Sequence, residues 1–152
     1  MANRTGTKRD DVLIGTVMAD LIRGGAGDDL LLGDAGADSL YGDDGHDRLY
    51  GGAGADLLDG GKGDDLLLGD DGDDRLHGQA GDDWLYGGDG SDELTGGSGG
   101  DLLNGGEGTD TAYFAGKRAD YLVATIMGAI VVRDLKPKTS GDDGTDVLYN
   151  IE

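Results

Sequence analysis

From Gly24 to Asn104, nine consecutive nonapeptides follow one template, Gly-x-x-Gly-x-Asp-x-Leu-x, without an insertion or deletion. Counted from Gly6, the register holds for twelve frames, which open at residues 6, 15, 24, 33, 42, 51, 60, 69, 78, 87, 96 and 105. Position 1 is Gly in every frame. Position 6 is Asp in every frame: Asp11, Asp20, Asp29, Asp38, Asp47, Asp56, Asp65, Asp74, Asp83, Asp92, Asp101 and Asp110. Position 8 is Leu or Ile from Leu13 and Ile22 through Leu103, and lapses only at Ala112. A fixed period of this kind marks a solenoid, whose repeats cover one another's apolar sides and cannot fold singly.

Each frame divides physically in two. Six residues rich in Gly and Asp favour turns with φ > 0. The x-Leu-x triplet that follows has the period-two geometry of a strand, with Leu to one side and its neighbours to the other. Two frames make one coil of 18 residues. The expected fold is therefore all-β: a parallel β-roll, or two-sheet β-solenoid, with odd frames in one sheet, even frames in the other and the position-8 side chains between them. After Tyr113 the register stops. Residues 120–126 and 129–133 read as a hairpin about Met127-Gly128. A loop containing Pro137 follows, and Gly141 to Tyr149 returns to the template as a detached thirteenth frame carrying Asp146 and Leu148. The expected organisation is a roll over residues 1–113 and a C-terminal capping segment, including the β-hairpin, over residues 114–152, because an open array exposes an apolar end and unpaired strand edges.

Composition narrows the partners. Of 152 residues, 32 are acidic and 12 basic, a formal net charge of -20 that opposes nucleic-acid binding. Only Arg48, Lys62 and Arg75 lie between Gly24 and Tyr113, so the array calls for positive charge from outside the chain. The 33 glycines come with a single proline, which excludes collagen, and random disorder would not hold Leu at every ninth residue. There is no cysteine, and hence no disulfide framework. Residues 1–10 lack the apolar core of a cleaved export signal. No apolar run approaches the ~18 residues of a membrane span.

The positive charge is expected to be calcium. Aspartates recurring every 18 residues along one edge stack at the strand spacing of about 4.8 Å, where like charges repel unless a cation separates them. The regular ligands are carboxylate and carbonyl oxygens, with neither His nor Cys at a fixed position, which suits Ca²⁺ and opposes zinc or copper. Glycine turns let carbonyls converge on an ion. Asp34, Asp43 and Asp70 replace the second glycine and tolerate the same backbone conformation.

Gly24-Gly-Ala-Gly-Asp-Asp-Leu-Leu-Leu32 and Gly60-Gly-Lys-Gly-Asp-Asp-Leu-Leu-Leu68 resemble the repeats-in-toxin (RTX) calcium-binding nonapeptides of secreted bacterial proteins. The resemblance covers residues 6–113, and the ending from Gly141 resembles the segment that often follows such arrays. It implies that each ion sits between turns two frames apart. Carbonyls of positions 2 and 4 and the Asp of one turn would join carbonyls of positions 1 and 3 and the Asp of the next. Carried over, Gly25, Gly27 and Asp29 share an ion with Gly42, Asp44 and Asp47, and Asp34, Gly36 and Asp38 share one with Gly51, Ala53 and Asp56. Asp43, Gly45 and Asp47 face Gly60, Lys62 and Asp65, while Gly52, Gly54 and Asp56 face Gly69, Asp71 and Asp74. Gly61, Gly63 and Asp65 face Gly78, Ala80 and Asp83. Asp70, Gly72 and Asp74 face Gly87, Asp89 and Asp92. Gln79, Gly81 and Asp83 face Gly96, Ser98 and Asp101, and Gly88, Gly90 and Asp92 face Gly105, Glu107 and Asp110. Two more sites would run through Asp11 and Asp20, whose frames carry Arg9 and Met18 at position 4. Eight to ten ions follow, and ten would match the formal charge.

The resemblance also implies a secreted, extracellular protein exported by a type I system. The chain would be a non-catalytic module that folds on calcium and serves as a folding, stability and secretion-coupled scaffold. Two other readings stand beside it: a calcium-dependent surface or polysaccharide-binding module, and the accessory module of a secreted protease, lipase or alginate epimerase. An enzyme active site is not expected. Gly96-Gly-Ser98-Gly-Gly100 matches a nucleophile-elbow pattern but falls in register as a repeat turn, and His46 and His77 occupy variable positions. On the outward positions 7 and 9, odd frames present Val12, Ile14, Leu30, Leu32, Arg48, Tyr50, Leu66, Leu68, Trp84, Tyr86, Leu102 and Asn104, against a mostly polar even face. That face is expected to be covered by the hairpin of residues 120–133, a partner domain or a second copy of the chain in a homo-oligomer, with self-association through Leu30, Leu66, Leu68 and Trp84 favoured.

Overall fold

The computed structural model describes residues 2–114, 121–126, 129–134 and 145–151. Its strands are β1 (Asn3–Thr5), β2 (Val12–Thr16), β3 (Leu21–Ala26), β4 (Leu30–Ala35), β5 (Ser39–Asp44), β6 (Arg48–Ala53), β7 (Leu57–Lys62) and β8 (Leu66–Asp71). They continue as β9 (Arg75–Ala80), β10 (Trp84–Gly90), β11 (Glu93–Ser98), β12 (Leu102–Gly108), β13 (Thr111–Ala112), β14 (Tyr121–Ile126), β15 (Ala129–Asp134) and β16 (Thr145–Tyr149). Two sheets result. One runs β1-β3-β5-β7-β9-β11-β13, the other β14-β15-β16-β12-β10-β8-β6-β4-β2. Frame parity sorts the strands as expected, and the fold is a parallel β-roll. No helix among the described residues is long and apolar enough to cross a membrane.

Within the array every pairing is parallel and shifted by 18 residues, as in Leu30↔Arg48, Leu31↔Leu49 and Leu32↔Tyr50. This register brings each position-8 residue onto its counterpart two frames away. Ile22, Leu31, Leu40, Leu49, Leu58, Leu67, Leu76, Leu85, Leu94 and Leu103 are fully buried between the sheets. Leu13 at the amino-terminal end and Ala112, Phe114 and Ile151 at the other pack against this column from partly buried positions.

The strands are longer than the triplet read from the sequence. Most hold six residues, positions 7 to 9 of one frame and 1 to 3 of the next, so the glycine-rich stretch is itself paired. Only positions 4 to 6 turn the corner. Glycine makes this possible: from the third frame on, the position-2 and position-4 residues adopt φ of about +70° to +150°, which glycine accepts freely and Asp34, Asp43 and Asp70 accept at 82°, 74° and 73°. A further strand also precedes the first frame, since β1 pairs with β3 through Asn3↔Leu21 and Arg4↔Ile22.

At the carboxyl end, β16 pairs parallel to β12 through Leu102↔Val147 and Leu103↔Leu148. The detached frame thus takes the next rung, at an offset of 45 residues where the array uses 18. β14 and β15 pair with each other antiparallel, and β15 pairs antiparallel with β16. The hairpin therefore extends the sheet beyond its last rung; its turn, Met127-Gly128, lies outside the described residues. On the outer surface Leu30, Leu32, Leu66 and Leu68 are half-buried by their cross-strand neighbours, while Val12 and Trp84 are 65% and 56% exposed. The even face is laced by polar pairs: Arg23 lies 4.2 Å over the Tyr41 ring, and Arg75 Nε donates to Glu93 at 3.0 Å.

Candidate metal centre

The turns between rungs are organised by the position-6 aspartates, which are buried from Asp20 to Asp110. One carboxylate oxygen of each reaches back one coil. Asp47 Oδ1 accepts the Asp29 N–H at 2.7 Å, Asp65 Oδ1 accepts that of Asp47 at 2.7 Å, and the ladder continues to Asp110 Oδ1, which accepts the Asp92 N–H at 3.0 Å. This accounts for the Asp at position 6 of every frame: the oxygen replaces the missing sheet bond at the corner. The second oxygen has a different fate. Oδ2 of Asp29, Asp38, Asp47, Asp56, Asp65, Asp74, Asp83, Asp92 and Asp110 is buried and meets no donor among the described residues. At Asp11 and Asp20 the same oxygen accepts from Thr7 and Thr16.

Backbone carbonyls face these oxygens. A Cβ on Gly69 would strike Asp74 Oδ2 and come within 2.6 Å of the Gly87 oxygen, so the position-1 glycine forms a cradle between its own frame's Asp and the position-1 carbonyl of the next coil. Gly24, Gly33, Gly42, Gly51, Gly60, Gly78 and Gly87 are placed alike. Position-2 carbonyls, such as those of Asp34, Asp43 and Asp70, point forward onto Gly52, Gly61 and Gly88. Position-4 carbonyls of Gly27, Gly36, Gly45, Gly54, Gly63, Gly72 and Gly81 point forward in the same way. Position-3 carbonyls point back and accept the position-4 N–H of the preceding coil, as Asp44 does from Gly27 at 3.0 Å and Lys62 from Gly45 at 2.8 Å. The turns assembled from the sequence are thus brought together in pairs two frames apart.

These residues fit a hard divalent cation. A buried carboxylate oxygen without a donor is costly, and neighbouring carbonyls, which only accept, cannot relieve the charge. Among the described residues no three carboxylate or imidazole side chains converge on one point. A cation here would accordingly draw most of its ligands from the backbone, in the many-oxygen shell that Ca²⁺ prefers.

Without metal, burial raises the carboxyls: Asp38 and Asp47 to about 6, and Asp65, Asp74 and Asp83 to about 7, with neighbouring aspartates adding to the effect. These values exceed the unfolded carboxylate value of ~3.9, so the metal-free fold binds more protons than the unfolded chain. Its stability is fullest at acid pH and is lost as pH rises through about 6 to 7. In chelator, circular dichroism should therefore show more β-structure at pH 5 than at pH 8. Equal or greater β content at pH 8 would contradict buried, unneutralised carboxylates.

A second ladder was missed at position 5, which reads as variable at a period of nine. Asp10 Oδ1 accepts the Asp28 N–H and Asp28 Oδ1 the His46 N–H, both at 3.0 Å. His46 Nδ1 accepts the Asp64 N–H at 2.8 Å, and Asp64 and Asp82 each accept the next at 2.9 Å. The signal was an Asp or His at position 5 of successive odd frames, a period of 18. Ser98 ends β11 with its carbonyl accepting from the Gly81 N–H at 2.9 Å, and β12 follows it where a nucleophile elbow would continue into a helix.

The RTX calcium-binding nonapeptide repeat, in its four-copy form, matches residues 5–40, 33–67, 41–76, 68–103 and 77–112. Among solved structures, the extracellular lipase LipA from Serratia marcescens is similar over 94% of this chain and 38% of its own length, at 18% identity and a TM-score of 0.32. No curated protein matches. The matched segments run through the whole ladder of inward carboxylates, and the chain belongs to the RTX calcium-binding nonapeptide repeat family.

Proposed function

We propose that this chain is the calcium-loaded, non-catalytic module of a secreted bacterial protein, and that it folds when it meets extracellular calcium. The row of buried Oδ2 atoms without donors carries the reading. Eight ions lie between frames of full pattern, from Asp29 with Asp47 to Asp92 with Asp110. Each is held by the position-2 and position-4 carbonyls and the Asp of one turn, together with the position-1 and position-3 carbonyls and the Asp of the next. Residues 1–113 form the calcium roll and residues 114–152 close it. Because sites of this kind fill at the calcium concentrations of extracellular fluid and stay empty in cytosol, the chain remains unfolded until export. The surrounding protein then gains a rigid module outside the cell.

Limited proteolysis at graded free calcium tests this. The chain should be cut rapidly at sub-micromolar calcium, resist cleavage at millimolar calcium, and gain no protection from magnesium at equal concentration. Equal resistance at both calcium levels would remove the switch, and protection by magnesium would remove the specificity.

A further inference from the structure

The first two frames keep the glycine and aspartate of the template but build a different turn. Position 2 is Thr7 in the first and Thr16 in the second. Later frames have positive φ there, 109° at Gly25 and 82° at Asp34, whereas Thr7 and Thr16 stay outside that region, as a β-branched residue must. Their amides consequently turn inward. Asp11 Oδ2 accepts the Thr7 N–H at 2.6 Å and the Thr7 hydroxyl at 2.9 Å. Asp20 Oδ2 accepts the Thr16 N–H at 2.6 Å and the Thr16 hydroxyl at 2.8 Å. In each case two donors of one threonine meet the oxygen that has no donor among the described residues at Asp29, Asp38 and the frames through Asp92.

The carbonyls change as well. In later turns a Cβ on the position-4 glycine would run into the position-4 carbonyl oxygen one coil back, as Gly45 would into that of Gly27. A Cβ on Gly27 or Gly36 would instead meet the carbonyl carbon of Arg9 or Met18, each at 2.6 Å, and the amide nitrogen that follows it. The oxygens of Arg9 and Met18 are directed elsewhere. Their N–H groups donate to Thr7 Oγ1 at 3.2 Å and Thr16 Oγ1 at 3.3 Å, where Gly27 N–H donates across the rungs to Asp44. Each of these two turns has therefore lost a forward-pointing carbonyl and filled its carboxylate.

We infer that Thr7 and Thr16 take the place of calcium at Asp11 and Asp20, so that the amino-terminal coil closes without metal and the ion ladder begins between Asp29 and Asp47. This rests on the calcium reading of the later turns. Lys8 and Arg9 in the first turn add positive charge where the ion is missing. The result is an end that needs no ion of its own once the first calcium-bound coil stacks upon it.

Counting calcium per chain by equilibrium dialysis tests the inference. The wild-type chain should bind eight ions, and the variant Thr7→Gly, Arg9→Gly, Thr16→Gly, Met18→Gly, which restores the template, should bind two more. Ten ions in the wild-type chain, or no gain in a folded variant, would overturn it; no calcium binding at all would overturn the calcium reading itself. Anomalous scattering from wild-type crystals grown in calcium needs no variant. Peaks should begin at the Asp29 carboxylate, and a peak within about 2.6 Å of Asp11 or Asp20 Oδ2 would refute the threonine closure.

Discussion

A chelator is expected to unfold this chain at neutral pH. Far-ultraviolet circular dichroism should lose most of its β signal in EDTA and recover it in one cooperative transition as calcium approaches millimolar. The cause is the geometry of the position-6 aspartates, which form two ladders, one through the odd frames and one through the even frames. Each places buried carboxylates about one strand spacing apart, near 4.8 Å, with one oxygen satisfied by an amide and the other facing carbonyls. At neutral pH the roll must either protonate these groups or hold them charged without a partner. A site with a dissociation constant near 0.1 mM contributes ~1.4 kcal/mol at ~1 mM calcium. Eight such sites contribute about 11 kcal/mol, comparable with the whole stability of an ordinary domain. The apolar column cannot replace this contribution, because it amounts to one Leu or Ile per nine residues while the glycines between lose more conformational freedom than any other residue. The transition should be cooperative because each inner turn contributes ligands on both sides, so filling one site orders half of the next. The same β content in EDTA as in calcium would refute this account.

What the sequence made legible was whatever repeats at nine. Gly at position 1, Asp at position 6 and Leu at position 8 define the three inward columns, and from them the two-sheet roll and its frame parity followed. Features with a period of 18 were harder to see. The Asp10, Asp28, His46, Asp64, Asp82 ladder alternates with Ala19, Ala37 and Ala55 of the even frames, so at a period of nine it resembles noise. Strand length was misjudged because glycine reads as a turn former; here it also removes the Cβ that would block carbonyls crossing between rungs, and positions 1 to 3 stay in the sheet. β1 was invisible since Asn3-Arg4-Thr5 has no apolar residue at its centre, and only backbone pairing to β3 marks it as a rung. Arg9 and Met18 stood out as departures from the template. Their meaning lay in the neighbouring threonines, whose donors become visible only once the turn is built.

Truncation after Tyr113 should raise the calcium midpoint several-fold or abolish folding. In the full chain β12 is paired on both sides, to β10 and to β16. Leu148, 4% exposed, covers Leu103 at the end of the apolar column, and Asp146 Oδ1 accepts the Asp101 N–H at 2.9 Å as the array's own aspartates do. Val147 N–H donates to the Asp101 carbonyl at 2.8 Å, and the Asn150 oxygen supplies at Gly105 the carbonyl that the next frame would have given. Removing residues 114–152 therefore exposes a buried leucine, unpairs a strand edge and opens the last turns to water together. The single substitution Leu148→Ala isolates one part of this, at a cost of about 3 kcal/mol for a buried leucine, and should shift the calcium midpoint in the same direction but by less. Loss passes inward from the end, because each coil is stabilised only by its neighbours. The truncated chain should thus release ions first from the sites nearest Asp110. A titration curve superimposable on that of the full chain would instead make residues 114–152 an independent appendage, with the roll closed by its own last rung.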